Sequence, residues 1–291
     1  MAQTALQAAY ESGGMLTAKV DPDFASTLEK TEVEAWLDLY AAAPADFAER
    51  FGLRLVRGET TVATLCTAIP FIHFNCAMDL GMNVPATEAE LDDLLATYGN
   101  AGVKRPWIYH TPFCQPAELP DWMTSRGMRQ QGGWDRIFRD GAALDPIGLT
   151  RAADSVVERI DRTNAVEWAG FIDGMYRLPT SPWLISLVGR PGWRHYALRQ
   201  GGQLKAVRSC FQNAEGFVWM GIEAPVPGIM APSFDLDAQI VETMIRDGLA
   251  AGARLFVADI EAPVASMDGQ AYGNFAALGF SKAYFRAHYG F

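Results

Sequence analysis

The sequence lacks most of the features that mark a specialised class of protein. No apolar run reaches the roughly 18 residues that a membrane-spanning helix needs, so no membrane role is expected. The four cysteines (Cys66, Cys76, Cys114 and Cys210) form no C-x-x-C pair and sit at no zinc spacing from a histidine. That excludes a disulfide scaffold and points to a reducing compartment. The four histidines (His73, His110, His195 and His288) are far apart, and no metal site is expected. There is no G-x-G-x-x-G, no G-x-x-x-x-G-K-[ST] and no G-x-S-x-G, which removes the usual warrants for dinucleotide, nucleoside triphosphate and serine-hydrolase chemistry. No basic start followed by an apolar stretch precedes Lys19, and Glu11 lies ahead of it, so no secretory signal is expected and the chain reads as cytoplasmic. A net charge of −10 makes nucleic acid an unsuitable partner.

What is present is a globular composition, 49% hydrophobic with a mean hydropathy of +0.01. A chain of 291 residues suggests about two domains and can bury a full core unaided. The charge is unevenly spread. Residues 1–145 hold 11 basic and 20 acidic side chains, and residues 146–291 hold 13 and 14. Within the second half, residues 174–214 contain no acid but carry Arg177, Arg190, Arg194, Arg199, Lys205 and Arg208. This +6 block is either a solvated hairpin face or a docking surface for an acidic partner.

The two halves repeat one order of elements. In the first, a helix over 89–98 stops near Gly102, a strand follows at 106–109, a second helix at 116–126 stops at Gly127, and a strand runs through 134–139. In the second, a helix over 237–250 stops at Gly252, a strand covers 255–260, a helix covers 270–278 and stops at Gly279, and a strand passes through 284–286. The glycine stops are 25 residues apart in one half and 27 in the other, at a pitch of 150. That argues for a duplicated domain. Upstream, each half offers antiparallel strands: 53–57, 60–66 and 71–79, then 194–200, 203–212 and 216–223. Gly201-Gly202 suits a tight hairpin between two of them. Residues 140–150, rich in turn formers, read as the linker. The predicted fold is α+β, two mixed and largely antiparallel sheets flanked by helices, with domains at 1–145 and 151–291.

The run Arg190-Pro191-Gly192-Trp193-Arg194-His195-Tyr196, the hairpins to Glu223, Ala238-Gln239 opening a long helix, and Tyr272-Gly273-Asn274 before Leu278-Gly279-Phe280 together resemble the GNAT superfamily of acyl-CoA-dependent N-acyltransferases. The resemblance covers the whole chain as a tandem, with the first half similar to a degenerate partner domain. It implies a V-shaped slot between diverging strands, here 216–223 and 254–260, in which the pantetheine arm of an acyl-CoA or other phosphopantetheine thioester lies. Gly221, Ile222, Asp259 and Asn274 are the residues it implies for the donor, with backbone amides around Ile222 polarising the thioester carbonyl. It implies Tyr272 as the acid that protonates the departing thiolate, a phenol and a thiol being close enough in pKa for concerted transfer. The alternative is a tyrosine packing its helix onto the sheet. Glu223 is implied as the base that takes the amine's proton, or else is an exposed strand-end carboxylate. His195 is a second candidate base, with a surface role as its alternative. Arg208, Trp193 and His195 are candidates for binding the acceptor, the aromatics otherwise being core.

One stretch departs from the pattern. GNAT domains read [RQ]-x-x-G-x-[GA] before the long helix, where glycine amides and the helix dipole hold the pyrophosphate. This chain has Phe234-Asp235-Leu236-Asp237. A carboxylate about 4 Å from a phosphate is repelled by up to ~4 kcal/mol at an effective dielectric of about 20. Asp237 also reads as a helix N-cap. The expectations are therefore an acyltransferase acting on a small-molecule amine in specialised metabolism, by direct attack in a ternary complex without a cysteine intermediate. Its donor is acyl-CoA or an acyl-carrier protein, the latter docking on the basic 174–214 block. A non-catalytic binding or scaffold protein of the same fold is the alternative.

Overall fold

The computed structural model describes residues 15–144, 154–225, 234–261 and 270–291. Asp21-Pro22 writes the first helix start: the Asp21 carboxylate accepts from the Phe24 N–H at 2.8 Å and proline occupies the first turn of α1 (Pro22–Ala41). A short α2 (Ala45–Phe51) leads into the hairpin β1 (Leu53–Arg57) and β2 (Val62–Cys66), then β3 (Cys76–Met78). The strand expected over 71–79 is thus mostly a turn. Asn75 is the cause: its carbonyl accepts from the Cys66 N–H, and its amide donates to Cys66, Ile69 and Phe71 carbonyls, tying the chain back on itself. Then come α3 (Glu88–Asn100), β4 (Trp107–His110), α4 (Leu119–Ser125) and β5 (Arg129–Asp140). Thr87 caps α3, accepting from the Glu90 N–H at 3.1 Å.

The second half opens with β6 (Ser155–Arg159), α5 (Ala165–Tyr176) and α6 (Ser181–Ile185). A meander of β7 (Trp193–Gln200), β8 (Gln203–Gln212) and β9 (Phe217–Ala224) follows. Gly201 and Gly202 turn its first hairpin with φ of +57° and +75°, as a type I′ turn demands. The chain ends with α7 (Phe234–Ala250), β10 (Leu255–Ile260), α8 (Gln270–Ala277) and β11 (Ser281–Gly290). The repeat is visible in the backbone. Gly102 and Gly252 stop their helices at φ +78° and +80°, and Gly127 and Gly279 both do so at +86°.

The chain forms two compact units, and their boundaries do not follow the halves. One unit is Val20–Asp135 with Tyr284–Phe291; the other is Met1–Lys19 with Arg136–Ala283. The end of each half's closing strand is counted with the other half. In the first unit the strands run β1-β2-β3-β4-β11. Leu65, Ile108, Leu91 and Met123 pack between that sheet and α3 and α4. Its opposite face meets α1 through charges. Arg286, fully buried, donates to Glu29 at 3.2 Å and to Glu32, and lies 4.2 Å over the Tyr109 ring. Tyr284 donates to Glu29 at 2.8 Å. In the second unit the strands run β5-β10-β9-β8-β7-β6. Leu198, Met220, Phe256, Ile240, Met244 and Phe275 form the core between this sheet and α7 and α8. No described helix is long and apolar enough to cross a membrane.

Candidate active site

The second unit splits its sheet at one place. β9 and β10 run parallel with Phe217 opposite Leu255, Val218 opposite Phe256 and Trp219 opposite Val257, and pairing stops there. Beyond it the two strands continue, to Ala224 and Ile260, without a ladder between them. Among the described residues, no strand pairs with the strong hydrogen-bonding backbone groups along this split on that side. On its other side, β9 pairs with β8 through a bulge: Ser209 faces Gly221 and Val207 faces Ala224, so Ile222 and Glu223 stand against Arg208 alone. Ile222 has φ +50°. A β-branched residue there is an outlier that costs about 1–3 kcal/mol and persists only when its surroundings impose it.

The surroundings are specific. Arg208 is buried on β8, and its Nη1 donates to the Glu223 carboxylate. Its Nε and Nη2 both donate to Asp237 Oδ1, at 2.9 and 2.8 Å. From the other face of the sheet, the Tyr176 hydroxyl at the end of α5 donates to the Glu223 carbonyl. The bulge is therefore held through its side chain and through its backbone. The Arg208 guanidinium also lies 5.6 Å from the Phe275 ring of α8. Burial works against the Arg208 charge, but Asp237 and Glu223 outweigh it and raise its pKa. Burial raises the Glu223 carboxyl, against the pull of Arg208. Burial and then Glu223 push the Tyr176 phenol up.

The predicted residues fall into distinct places. Glu223 is not an exposed strand end; it is ion-paired with Arg208. Arg208, predicted to bind an acceptor carboxylate, is occupied by two internal ones. Asp237 is not a helix N-cap: α7 starts at Phe234, and the Asp237 side chain turns to Arg208. Tyr272 is partly exposed on α8 and packs against the core, while Asn274 is buried. Asp259 accepts from Arg136 at 3.1 Å. Gly221 lies under an indole: a Cβ there would come 2.2 Å from the Trp219 ring. Gly221→Ala is expected to displace that ring at a cost of about 1–3 kcal/mol, read as a lower urea midpoint. Sequence reasoning missed Arg136, which sits in a largely polar strand and carries no signal there, and it counted Tyr176 only among the aromatics of the second half, without its bond to Glu223.

Trp193 and His195 are core residues, 4% and 1% exposed, and their rings stack at 5.8 Å. His195 is therefore not a surface group. Its Nδ1 lies 2.8 Å from the Ser209 hydroxyl, and Trp168 of α5 covers it at 4.5 Å. Burial lowers the His195 pKa to about 4, and burial lowers that of His73 in the first unit to about 4 as well. Both values lie below the usual 6.5, so between about pH 6.5 and 4 the unfolded chain binds protons that the folded one refuses. Stability is complete above that window and falls with pH inside it, by up to about 1.4 kcal/mol per pH unit per histidine. Melting temperatures across that window check this, and His195→Asn is expected to remove one proton's worth of the slope.

Half of the +6 block is taken up within the unit. Arg194 and Arg208 are buried, and Arg199 pairs with Glu158 and Glu167. The thiols are buried too: burial pushes Cys66, Cys76 and Cys114 up to about 11, which leaves them poor nucleophiles at neutral pH. Among the described residues, no group of three or more His, Cys, Asp or Glu is placed to hold a metal ion.

In the first unit the corresponding place is closed. β3 and β4 are parallel at Cys76 and Trp107 and at Ala77 and Ile108. The loops that follow are then laced together. Gln115 N–H donates to the Gly81 carbonyl and accepts at its own carbonyl from Ala86 N–H, both at 2.8 Å. Thr111 bonds the Met82 sulfur at 3.0 Å. Gly81 is required there, since its φ is +78° and a Cβ would lie 2.3 Å from the Gln115 carbonyl oxygen.

No protein-family model matches the chain, and no curated protein matches it. Solved structures do. A GCN5-related N-acetyltransferase from Kribbella flavida aligns with a TM-score of 0.58 at 14% identity, covering 88% of this chain and 93% of that one. A tandem GNAT protein from the clavulanic acid biosynthesis pathway aligns with 0.54 at 15%, covering 95% and 97%. A GCN5-related N-acetyltransferase from Sphaerobacter thermophilus aligns with 0.52 at 11%, covering 86% and 85%. The chain thus has the α+β fold of the GNAT superfamily in tandem, as the resemblance implies.

Proposed function

We propose that the chain is an acyltransferase that moves an acyl group from acyl-CoA, or another phosphopantetheine thioester, to an amine of a small molecule. The observation that supports it best is the split between β9 and β10 beside a strained, doubly held bulge at Ile222. An extended pantetheine arm carries amides of its own and suits the place where β9 and β10 stop pairing with each other. The bulge amides, fixed in advance, are suited to charge developing on the thioester oxygen, where preorganised donors do most of their work. Glu223 takes the amine's proton, directly or through water, and its raised pKa brings it nearer to neutrality. Tyr272 gives a proton to the departing thiolate, and no cysteine intermediate is required.

The donor's phosphates meet an altered helix start. Asp237 brings a negative charge, but Arg208 compensates it, so the repulsion is smaller than a free carboxylate would give. Binding through the pantetheine arm is then the main source of donor affinity, and the amine acceptor belongs to specialised metabolism in this reading. In the 174–214 block Arg194, Arg199 and Arg208 are taken up inside the unit, so a carrier-protein donor docking there would meet Arg177, Arg190 and Lys205.

Thioester loss with acetyl-CoA and with an acetylated carrier protein, each offered a panel of primary amines, tests the proposal. Turnover with either supports it. Tyr272→Phe is expected to lower kcat by about a hundredfold, in the range of general acid catalysis. No turnover with both donors, and no thermal shift with CoA, would instead favour a binding protein of this fold.

A further inference from the structure

The backbone carbonyl of Glu223 has a partner that a sheet does not ordinarily give. Carbonyls on a strand are taken by the next strand; this one accepts from the Tyr176 hydroxyl of α5. The peptide that follows is trans and planar, so holding the carbonyl also fixes the Ala224 N–H, which points the opposite way. The phenol itself stands on a braced helix end. Tyr176 is the last residue of α5, and Asp173, one turn earlier, ties that end to the start of α6. Asp173 Oδ1 accepts from the N–H and the hydroxyl of Thr180, at 2.7 and 2.6 Å. Its Oδ2 accepts from the N–H of Ser181 at 2.8 Å and from the Ser181 hydroxyl. Between them Arg177 turns the chain at φ +55°, and the Leu178 N–H donates to the Asp173 carbonyl at 3.1 Å.

The strain at Ile222 is what gives this bond its weight. At φ +50° a β-branched residue gains by relaxing wherever its surroundings allow it. Arg208 reaches only the Glu223 carboxylate, and the torsions between that group and the backbone leave the main chain room to turn. Tyr176 grips the main chain itself. We propose that Tyr176 is a positioning residue for acyl transfer: its hydroxyl keeps the bulge in the one conformation in which the backbone amides around Ile222 and the Glu223 carboxylate act together. It touches neither donor nor acceptor and works through the Glu223 carbonyl. This rests on the acyltransferase reading and assigns α5 and its Asp173 brace a part in it.

The test compares the full chain with Tyr176→Phe, which removes one oxygen and keeps the ring. Thioester consumption is measured with acetyl-CoA and a primary amine, and backbone amide exchange is measured beside it. In Tyr176→Phe, kcat and kcat/KM are expected to fall together, by about tenfold or more, with KM for donor and amine unchanged. Amide exchange is expected to quicken at the bulge end of β9, while exchange elsewhere and the melting temperature stay as in the wild type, because relaxation at Ile222 offsets the lost bond. Adding Ile222→Gly to Tyr176→Phe is expected to recover part of the lost kcat, since glycine holds a positive φ without strain. Wild-type turnover in Tyr176→Phe, or bulge amides that exchange as before, overturns the proposal. So does a loss of protection and of melting temperature spread over the whole unit, with no recovery from Ile222→Gly, which would mark Tyr176 as a packing residue. A wild type that consumes no thioester overturns the acyltransferase reading, and faster exchange confined to the bulge would then leave the hold by Tyr176 standing.

Discussion

Arg208→Met is expected to cost about 3–5 kcal/mol of folding free energy, the range for removing one partner of a buried ion pair. The side chain is 4% exposed and serves two carboxylates, Glu223 at 26% and Asp237 at 8% exposure. Removing the guanidinium leaves both without their countercharge and takes away the bond that holds the bulge from one side. Arg208→Lys is expected to recover only part of the loss, since a single ammonium cannot reproduce a fork that reaches Asp237 through Nε and Nη2 and Glu223 through Nη1. Adding Glu223→Gln and Asp237→Asn to Arg208→Met removes the stranded charges and is expected to restore most of the stability. It should not restore turnover, because the proton acceptor goes with them. Urea unfolding of the four proteins, with thioester consumption measured beside it, separates the two effects. Equal losses in Arg208→Met and the triple variant would show that packing, and not charge compensation, sets the cost.

Much of this unit is legible in the sequence, because its strands obey local rules. β7 to β10 alternate or run apolar as their burial requires, Gly201-Gly202 fixes one hairpin, and the glycine stops fix two helix ends. The triad is not legible, although all its members are. Arg208, Glu223 and Asp237 lie up to 29 residues apart, and only the bulge at Ile222 turns Glu223 towards the α7 side. A bulge in an otherwise regular strand has no sequence signature when the residue at positive φ is isoleucine. Read from the sequence alone, Asp237 is an ordinary cap and an obstacle to phosphate; in the fold, it is the counter-ion of an arginine on β8, with β9 between them in the chain. The same limit applies to Trp193 and His195. Their types suit a binding surface, but the strand direction and α5 place them inside. In the first unit, Thr87 announces its helix, while nothing in the loop after Gly81 announces the bonds from Gln115 that close it.

Cutting the chain at residue 145, in the stretch that reads as a linker, is expected to leave neither piece folded. A domain cut that way would ordinarily keep its own core. Here residues 151–291 would lose Arg136–Asp140, and with them Ile137 from the core under α7 and α8, the Arg136 partner of Asp259, and the bond from Arg139 to the Leu278 carbonyl. Residues 1–145 would lose Tyr284–Phe291. Without Arg286, Glu29 and Glu32 would stay buried with no guanidinium between them, and β4 would become an open edge where β11 had paired at Ala287, His288 and Tyr289. Each loss alone falls among the larger effects of buried charge and missing core. In each piece the losses together are comparable to the 5–15 kcal/mol by which a domain is ordinarily stable. Separately expressed pieces are expected to be aggregated or to unfold without a cooperative transition. Co-expressed pieces are expected to co-purify as a complex of one copy of each, with a single unfolding transition, because each then regains its closing strand. A soluble, cooperatively folded 151–291 on its own would mean that the exchanged strand is dispensable. Each closing strand carries a buried arginine into its unit, Arg136 beside Asp259 and Arg286 beside Glu29 and Glu32, so the cut breaks a buried ion pair in each piece.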